Sequence, residues 1–147
     1  MALHFSKEEF HKRKLNTLRC MKEKNLDALL MFRQESMYWL TGYDTFGYVF
    51  FQTLILDQKG NVILLTRAPD LRQAQNTSNI EDIRIWVDKD GVNPTDDLKI
   101  ILDELNLKGK KIGVEYEAYG MTGRNALKLN KSLDGYCNVE DQSELIT

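Results

Sequence analysis

The sequence predicts an α/β fold: a three-layer α/β/α arrangement around a mixed, mostly parallel sheet that contains one antiparallel hairpin. Three observations predict it. Helical and extended patterns alternate along the 147 residues in the order α-β-α-β-β-α-β-α-β-α-β, and such alternation puts helices on both faces of a sheet whose strands run largely one way. The run Ala28-Leu29-Leu30-Met31-Phe32 is apolar at every position, the pattern of a strand covered on both faces. The segment Asp57-Gln58-Lys59-Gly60-Asn61 between two apolar runs is too short for a crossover, so the flanking strands are antiparallel neighbours.

The elements follow in order. Ser6 with Glu9 forms a capping-box pattern, so a helix starts near Lys7. It carries Leu15, Leu18 and Met21 on its apolar side and the basic cluster His11-Lys12-Arg13-Lys14 elsewhere, and it fades at Lys24-Asn25. After the strand Ala28 to Phe32, a short helix runs from Gln34 to Thr41 and stops at Gly42, which accepts the left-handed conformation that ends helices. Tyr43 to Tyr48 is an aromatic-rich loop. Val49 to Leu56 is rich in β-branched and aromatic residues and reads as a strand, with Val62 to Thr66 as its hairpin partner. Ala68 to Asn76 is helical, with Pro69 in the first turn, where a missing N–H does no harm. Ile83 to Val87 alternates as a strand with two unlike faces. Asn93-Pro94-Thr95-Asp96-Asp97 opens the best-defined helix, with a cap, a preset first turn and acids at the positive helix end. Leu98, Ile101, Leu102 and Leu105 give it one apolar face. Ile112 to Glu115 is a strand after the basic turn Lys108 to Lys111. Thr122 caps a last helix with Ala126, Leu129 and Leu133 inward, Gly135 ends it, and Tyr136 to Glu140 is the final strand.

Composition narrows the function classes. Lys and Arg total 20 against 22 Asp and Glu, a net charge of −2, whereas domains that bind nucleic acid by neutralising phosphates are usually strongly basic. The N-terminus lacks a basic start followed by an apolar secretory core. No apolar run approaches the ~20 residues that span a bilayer. Cys20 and Cys137 stand alone, as expected of reduced thiols in a cytoplasmic protein.

The residue types for several chemistries are missing or scattered. Both histidines, His4 and His11, lie at the extreme N-terminus, and no H-E-x-x-H or other ligand spacing is present, so no metal site and no catalytic residue is assigned to this chain. Phosphate-cradling and dinucleotide-binding glycine patterns are absent. Glu115, Glu117, Glu140 and Asp141 fall near strand ends, where they read either as solvated charges or as a source of a general acid/base pair. The segment Met37 to Tyr48 stands apart, because its aromatics crowd a turn beside an acid. Rings on a loop bring contact area at low entropic cost, so the loop reads as a binding or interface element, while Trp39 serves equally well as core.

The order and spacing of several short segments resemble the N-terminal domain of the creatinase, prolidase and aminopeptidase P family, the pita-bread metallohydrolases. They are Leu26-Asp27-Ala28-Leu29-Leu30, then Met37-Tyr38-Trp39-Leu40-Thr41-Gly42-Tyr43, Leu64-Leu65-Thr66-Arg67, Ile112-Gly113-Val114-Glu115 and Tyr119-Gly120-Met121-Thr122. Ser36 stands where the family often has Asn, and Trp39 where it often has Tyr; both bear on subfamily more than on fold. The resemblance implies a ribonuclease H-like motif in the three-layer domain, which occupies residues 1–147 with the catalytic pita-bread domain absent. It implies that two divalent metal ions and their ligands belong to that missing C-terminal domain, with no cofactor in this chain.

The resemblance further implies a homodimer in which this domain forms part of the wall of the partner's active site. The residues placed there at region level are Trp39, Tyr43, Asp44, Phe46, Tyr48, Arg67 and Asp70. The expected role is that of the non-catalytic domain of a metal-dependent Xaa-Pro peptidase or creatinase-type hydrolase acting on a peptide, amidine or cyclic amide, with no nucleic-acid or membrane partner. The alternatives are a stand-alone binding module of the same fold and a self-contained hydrolase using Glu115 or Glu140.

Overall fold

The computed structural model describes residues 5–45 and 50–146. Its elements are α1 (Lys7–Glu23), β1 (Ala28–Met31), α2 (Gln34–Thr41), β2 (Thr53–Asp57), β3 (Val62–Arg67), a 3-10 turn (Ala68–Asp70), α3 (Leu71–Thr77), β4 (Asp82–Trp86), α4 (Pro94–Glu104), β5 (Lys111–Val114), α5 (Gly123–Leu133) and β6 (Asn138–Asp141). They form one mixed sheet in the order β4-β3-β2-β1-β5-β6. Pairing is parallel for β3–β4, β1–β5 and β5–β6 and antiparallel on both sides of β2. Five strands therefore run one way and β2 alone runs against them.

Alternation along the central strands divides the core into two layers, because successive side chains in a strand point to opposite faces. Ala28, Leu30, Ile55, Ile63 and Leu65 pack with Leu98, Ile101 and Leu102 of α4 and Leu129 and Leu133 of α5. Leu29, Met31, Leu54, Leu56 and Leu64 pack on the other face with Met21 of α1, Met37 and Leu40 of α2 and Ala74 of α3. Each fully buried Leu or Met removes enough apolar surface to contribute about 1.5–3 kcal/mol.

The helix ends follow their chemistry. The Ser6, Asn93 and Thr122 side chains accept from the N–H groups of Glu9, Thr95 and Asn125. Gly42 closes α2 with φ of +85°. The Ser6→Ala variant is expected to lose about 1 kcal/mol, the usual value of such a cap, read as a lowered urea midpoint with α1 frayed at its start.

Four expectations are corrected. Leu15 does not face the core: it is 52 % exposed, and the buried residues of α1 are Phe10, Thr17 and Met21. At 100° per residue Leu15 lies about 140° from the line through those three. The strand expected over Val49 to Leu56 starts at Thr53, and Val49 lies outside the described residues. The Phe51 carbonyl accepts from the Trp86 indole at 3.0 Å instead of joining the ladder, and the Phe51 ring meets Phe32 and Trp86 edge-on. The helix expected over Ala68 to Asn76 is a 3-10 turn containing Pro69 followed by α3. The last strand starts at Asn138, because Tyr136 is drawn into the core with its hydroxyl on Asp103.

Candidate functional site

The strand directions decide where a site can form. The carboxyl ends of the five co-directional strands bring Phe32, Arg33, Arg67, Asp88, Glu115 and Ser143 to one rim. The amino end of the reversed β2 adds Phe51 and Gln52. In α/β sheets this is the edge where ligands are held. Two side-chain groups stand on it.

The first group is built around Arg67, the last residue of β3. Its Nε donates to Asp70 Oδ2 at 3.3 Å, Nη1 approaches Asp88 at 3.8 Å, and the guanidinium carbon lies 3.6 Å from the centre of the Phe50 ring. Asp70 is 8 % exposed and also accepts from the Thr45 hydroxyl at 3.1 Å. Arg67 is thus fixed as a flat cation stacked on an aromatic face, a contact that gains strength where solvent is excluded. Phe50 is 43 % exposed and Val87, which leads to Asp88, is 57 % exposed, so the group presents apolar surface outward.

Behind it, Tyr43 is fully buried in the core layer beneath α1 and α2. Its hydroxyl donates to Gln52 Oε1 at 2.8 Å, and Thr66 donates to the same oxygen at 3.0 Å. Burial pushes the Tyr43 phenol above its ordinary range, opposed by bonds to Thr45 and Thr66.

The other residues expected at a pocket wall are placed separately. Trp39 is half-buried on α2, its ring near the Arg13 guanidinium and its carbonyl accepting from Arg13 Nη1 at 2.8 Å, so it is tied to α1. Asp44 is exposed, with its N–H donating to Thr77 Oγ1 at the end of α3. Phe46 and Tyr48 lie outside the described residues. The structure therefore brings Arg67 and Asp70 together, adds Thr45, Phe50 and Asp88 to them, and places Tyr43 beneath them. Gln52 was signalled by being polar inside an apolar run; Phe50 was hidden within the expected strand, and nothing in the sequence marks Asp88.

The second group centres on Glu115, which is 0 % exposed, so the solvated reading of this residue is corrected. Oε1 accepts from the N–H groups of Phe32 at 3.0 Å and Arg33 at 3.1 Å, and Oε2 accepts from Ser36 Oγ at 2.6 Å. Burial pushes this carboxyl above the usual carboxylate range, opposed by Ser36, the two amides and the Arg33 charge. Arg33, whose N–H it accepts, also borders a cleft of about 570 Å³ together with Glu35, Glu117, Tyr119, Ser143 and Glu144; Glu115 itself does not line that cleft. Glu140 is held by Lys111 and Gln142, and Asp141 by Ser143, so these carboxylates are engaged by separate partners.

A carboxyl whose pKa is raised by folding makes the folded state bind more protons than the unfolded chain, so its stabilising contribution is present below the unfolded carboxylate range and is lost as pH rises through the folded pKa. Urea midpoints are therefore expected to fall between acid and neutral pH. Glu115→Gln should flatten that fall, leaving the smaller part of the same sign due to Asp97, which burial also raises.

Among the described residues, no three His, Cys, Asp or Glu side chains are grouped to hold a metal ion. His11 is exposed on α1, and His4 lies outside the described residues. The described residues do not fit a bimetal centre; the rim carries a cation held by Asp70 and Asp88, an exposed aromatic face and hydrogen-bonding groups. Among the described residues no helix is long and apolar enough to cross a membrane.

A family model, the Creatinase/Prolidase N-terminal domain, matches residues 13–147. An uncharacterized hydrolase/peptidase of Sinorhizobium fredii is 28 % identical over an alignment of 138 residues, and the match covers 89 % of this chain and 35 % of that protein. Among solved structures, a prolidase from Thermococcus sibiricus matches with a TM-score of 0.76 at 20 % identity, over 93 % of this chain and 35 % of its own. The N-terminal domain of a cytoplasmic peptidase from Mycobacterium tuberculosis matches with a TM-score of 0.70 at 18 % identity, over 92 % of this chain and 95 % of its own. The chain thus spans about a third of the length of its curated relative.

Proposed function

The chain belongs to the creatinase/prolidase N-terminal domain family, and from that premise we propose that it is the non-catalytic N-terminal domain of a metal-dependent Xaa-Pro peptidase or creatinase-type hydrolase. In that role residues 1–147 act as one domain, which takes part in a homodimer and supplies part of the wall of the partner's active site. The metal ions and their ligands belong to a catalytic domain outside this chain. The observation that carries the reading is one of proportion: the family match covers nearly all of this chain, yet the chain covers 35 % of its hydrolase/peptidase relative. The rim supports the wall role, because Arg67 is held rigidly between Asp70 and the exposed Phe50 ring, as a contact that must be positioned before a ligand arrives is held.

Three experiments test this. The coding sequence beyond codon 147 should continue into a segment rich in His, Asp and Glu; a stop codon there favours the reading as a stand-alone binding module. In the complete enzyme, subunits carrying Arg67→Ala and Asp70→Asn are mixed with subunits inactivated in their own catalytic domain. A wall supplied across the dimer predicts that the mixture recovers activity that neither parent has; no recovery overturns the wall role. Manganese- or cobalt-stimulated hydrolysis of a Xaa-Pro dipeptide by the purified chain overturns both readings.

A further inference from the structure

The Gly42–Thr45 turn follows directly on α2, so whatever holds the first turn of α2 also sets where that turn stands. Arg33, at the N-cap of α2, has no side-chain capping bond. The capping is done instead by the residue that follows β5: the Glu115 carboxylate takes the Phe32 and Arg33 amides on one oxygen and the Ser36 hydroxyl on the other. A carboxylate there also meets the positive end of the helix dipole. Between Arg33 and Ser36 stands Gln34, whose Nε2 donates to the Tyr43 carbonyl at 2.9 Å, while its Oε1 is buried with no partner. The path from carboxylate to turn is therefore two bonds long. It runs from Glu115 to the backbone at Arg33, and from the neighbouring Gln34 to Tyr43.

We propose that Glu115 is a positioning residue whose protonation state is transmitted through Gln34 to the Tyr43–Thr45 turn, making the stance of this part of the rim proton-dependent. The functional weight of this rests on the wall role proposed above; the coupling itself does not. Oε1 already accepts two amides, so an added proton goes to Oε2, where Ser36 Oγ at 2.6 Å accepts it by reversing its hydroxyl. The neutral carboxyl then holds the two amides less strongly, since hydrogen bonds to an ionised acceptor are the stronger kind. Among the groups around Glu115, Arg33 bears on its charge directly. Arg33 in turn contacts Glu35 and the Ser143 carbonyl, Asp141 is engaged by Ser143, and Glu117 and Glu144 border the same cleft as Arg33.

The test is an amide NMR titration of the full chain from acid to neutral pH. The Phe32 and Arg33 amides should shift in a single transition, and the amides of Tyr43, Asp44 and Thr45 should shift with the same midpoint. Glu115→Gln should abolish the transition at all five. Gln34→Ala should keep it at Phe32 and Arg33 and remove it at Tyr43 to Thr45. Ser36→Ala, which takes one donor from the carboxylate, should move the midpoint upward. A Tyr43–Thr45 turn that lacks the Phe32 and Arg33 midpoint in the unaltered chain overturns the proposal, as does a transition there with that midpoint that survives Glu115→Gln or Gln34→Ala. These outcomes are read in the isolated chain, so they stand apart from the mixed-dimer result.

Discussion

Replacing Tyr43 with alanine is expected to destabilise the chain by about 3–5 kcal/mol, the range for truncating a buried aromatic side chain. The ring is 0 % exposed and packs in the layer that holds Met37, Leu40 and Leu54. Its removal leaves a cavity and strips Gln52 Oε1 of one of its two donors. Tyr43→Phe keeps the ring and leaves Gln52 the Thr66 hydroxyl at 3.0 Å, so a loss of about 1 kcal/mol, that of one buried hydrogen bond, is expected. Urea denaturation of both variants checks the pair. If Tyr43→Ala leaves the midpoint where it was, the residue belongs to a surface wall and not to the core.

Gly113→Ala is expected to cost about 1–3 kcal/mol through overpacking. A methyl built on Gly113 meets Gln142 Cγ at 2.8 Å and Gln142 Cβ and Leu26 Cδ1 at 3.1 Å. Gln142 cannot easily withdraw, because its N–H donates to the Val114 carbonyl at 2.9 Å and its Nε2 to Glu140 at 2.9 Å. The requirement for glycine here is close approach of the segment after β6, not backbone strain. Gln142→Ala removes the nearest atom, so the double variant should regain part of the urea midpoint lost by Gly113→Ala. Equal midpoints for the single and double variants would show that Gln142 is not the obstruction.

The features legible in the sequence are those decided by near neighbours. Ser6, Asn93, Thr122 and Gly42 end helices through groups within a few positions of themselves, and the order of helices and strands follows from local periodicity. The Asp57–Asn61 turn gave the hairpin, but not the antiparallel contact of β2 with β1, which joins residues well apart in the chain. The site was legible only in part for the same reason. Arg67 and Asp70, three apart, were read as belonging to one region but not as a pair, whereas the burial of Glu115 was not legible because its donors lie about 80 positions earlier. Tyr43 shows a second limit: an amphipathic ring looks the same in sequence whether its hydroxyl meets water or a buried Gln52.

The single reversed strand has a consequence for variation. Because β2 runs against its neighbours, Gln52 just before it lies within a hydrogen bond of Tyr43 just after α2, and that bond ties together the two feet of the stretch between them. Closing a longer loop across feet already joined costs only about 0.6 kcal/mol per doubling of length. Insertions there leave every strand register intact. On the wall role proposed above, the length of this one span would set the size of ligand admitted, with the remainder of the chain inherited unaltered.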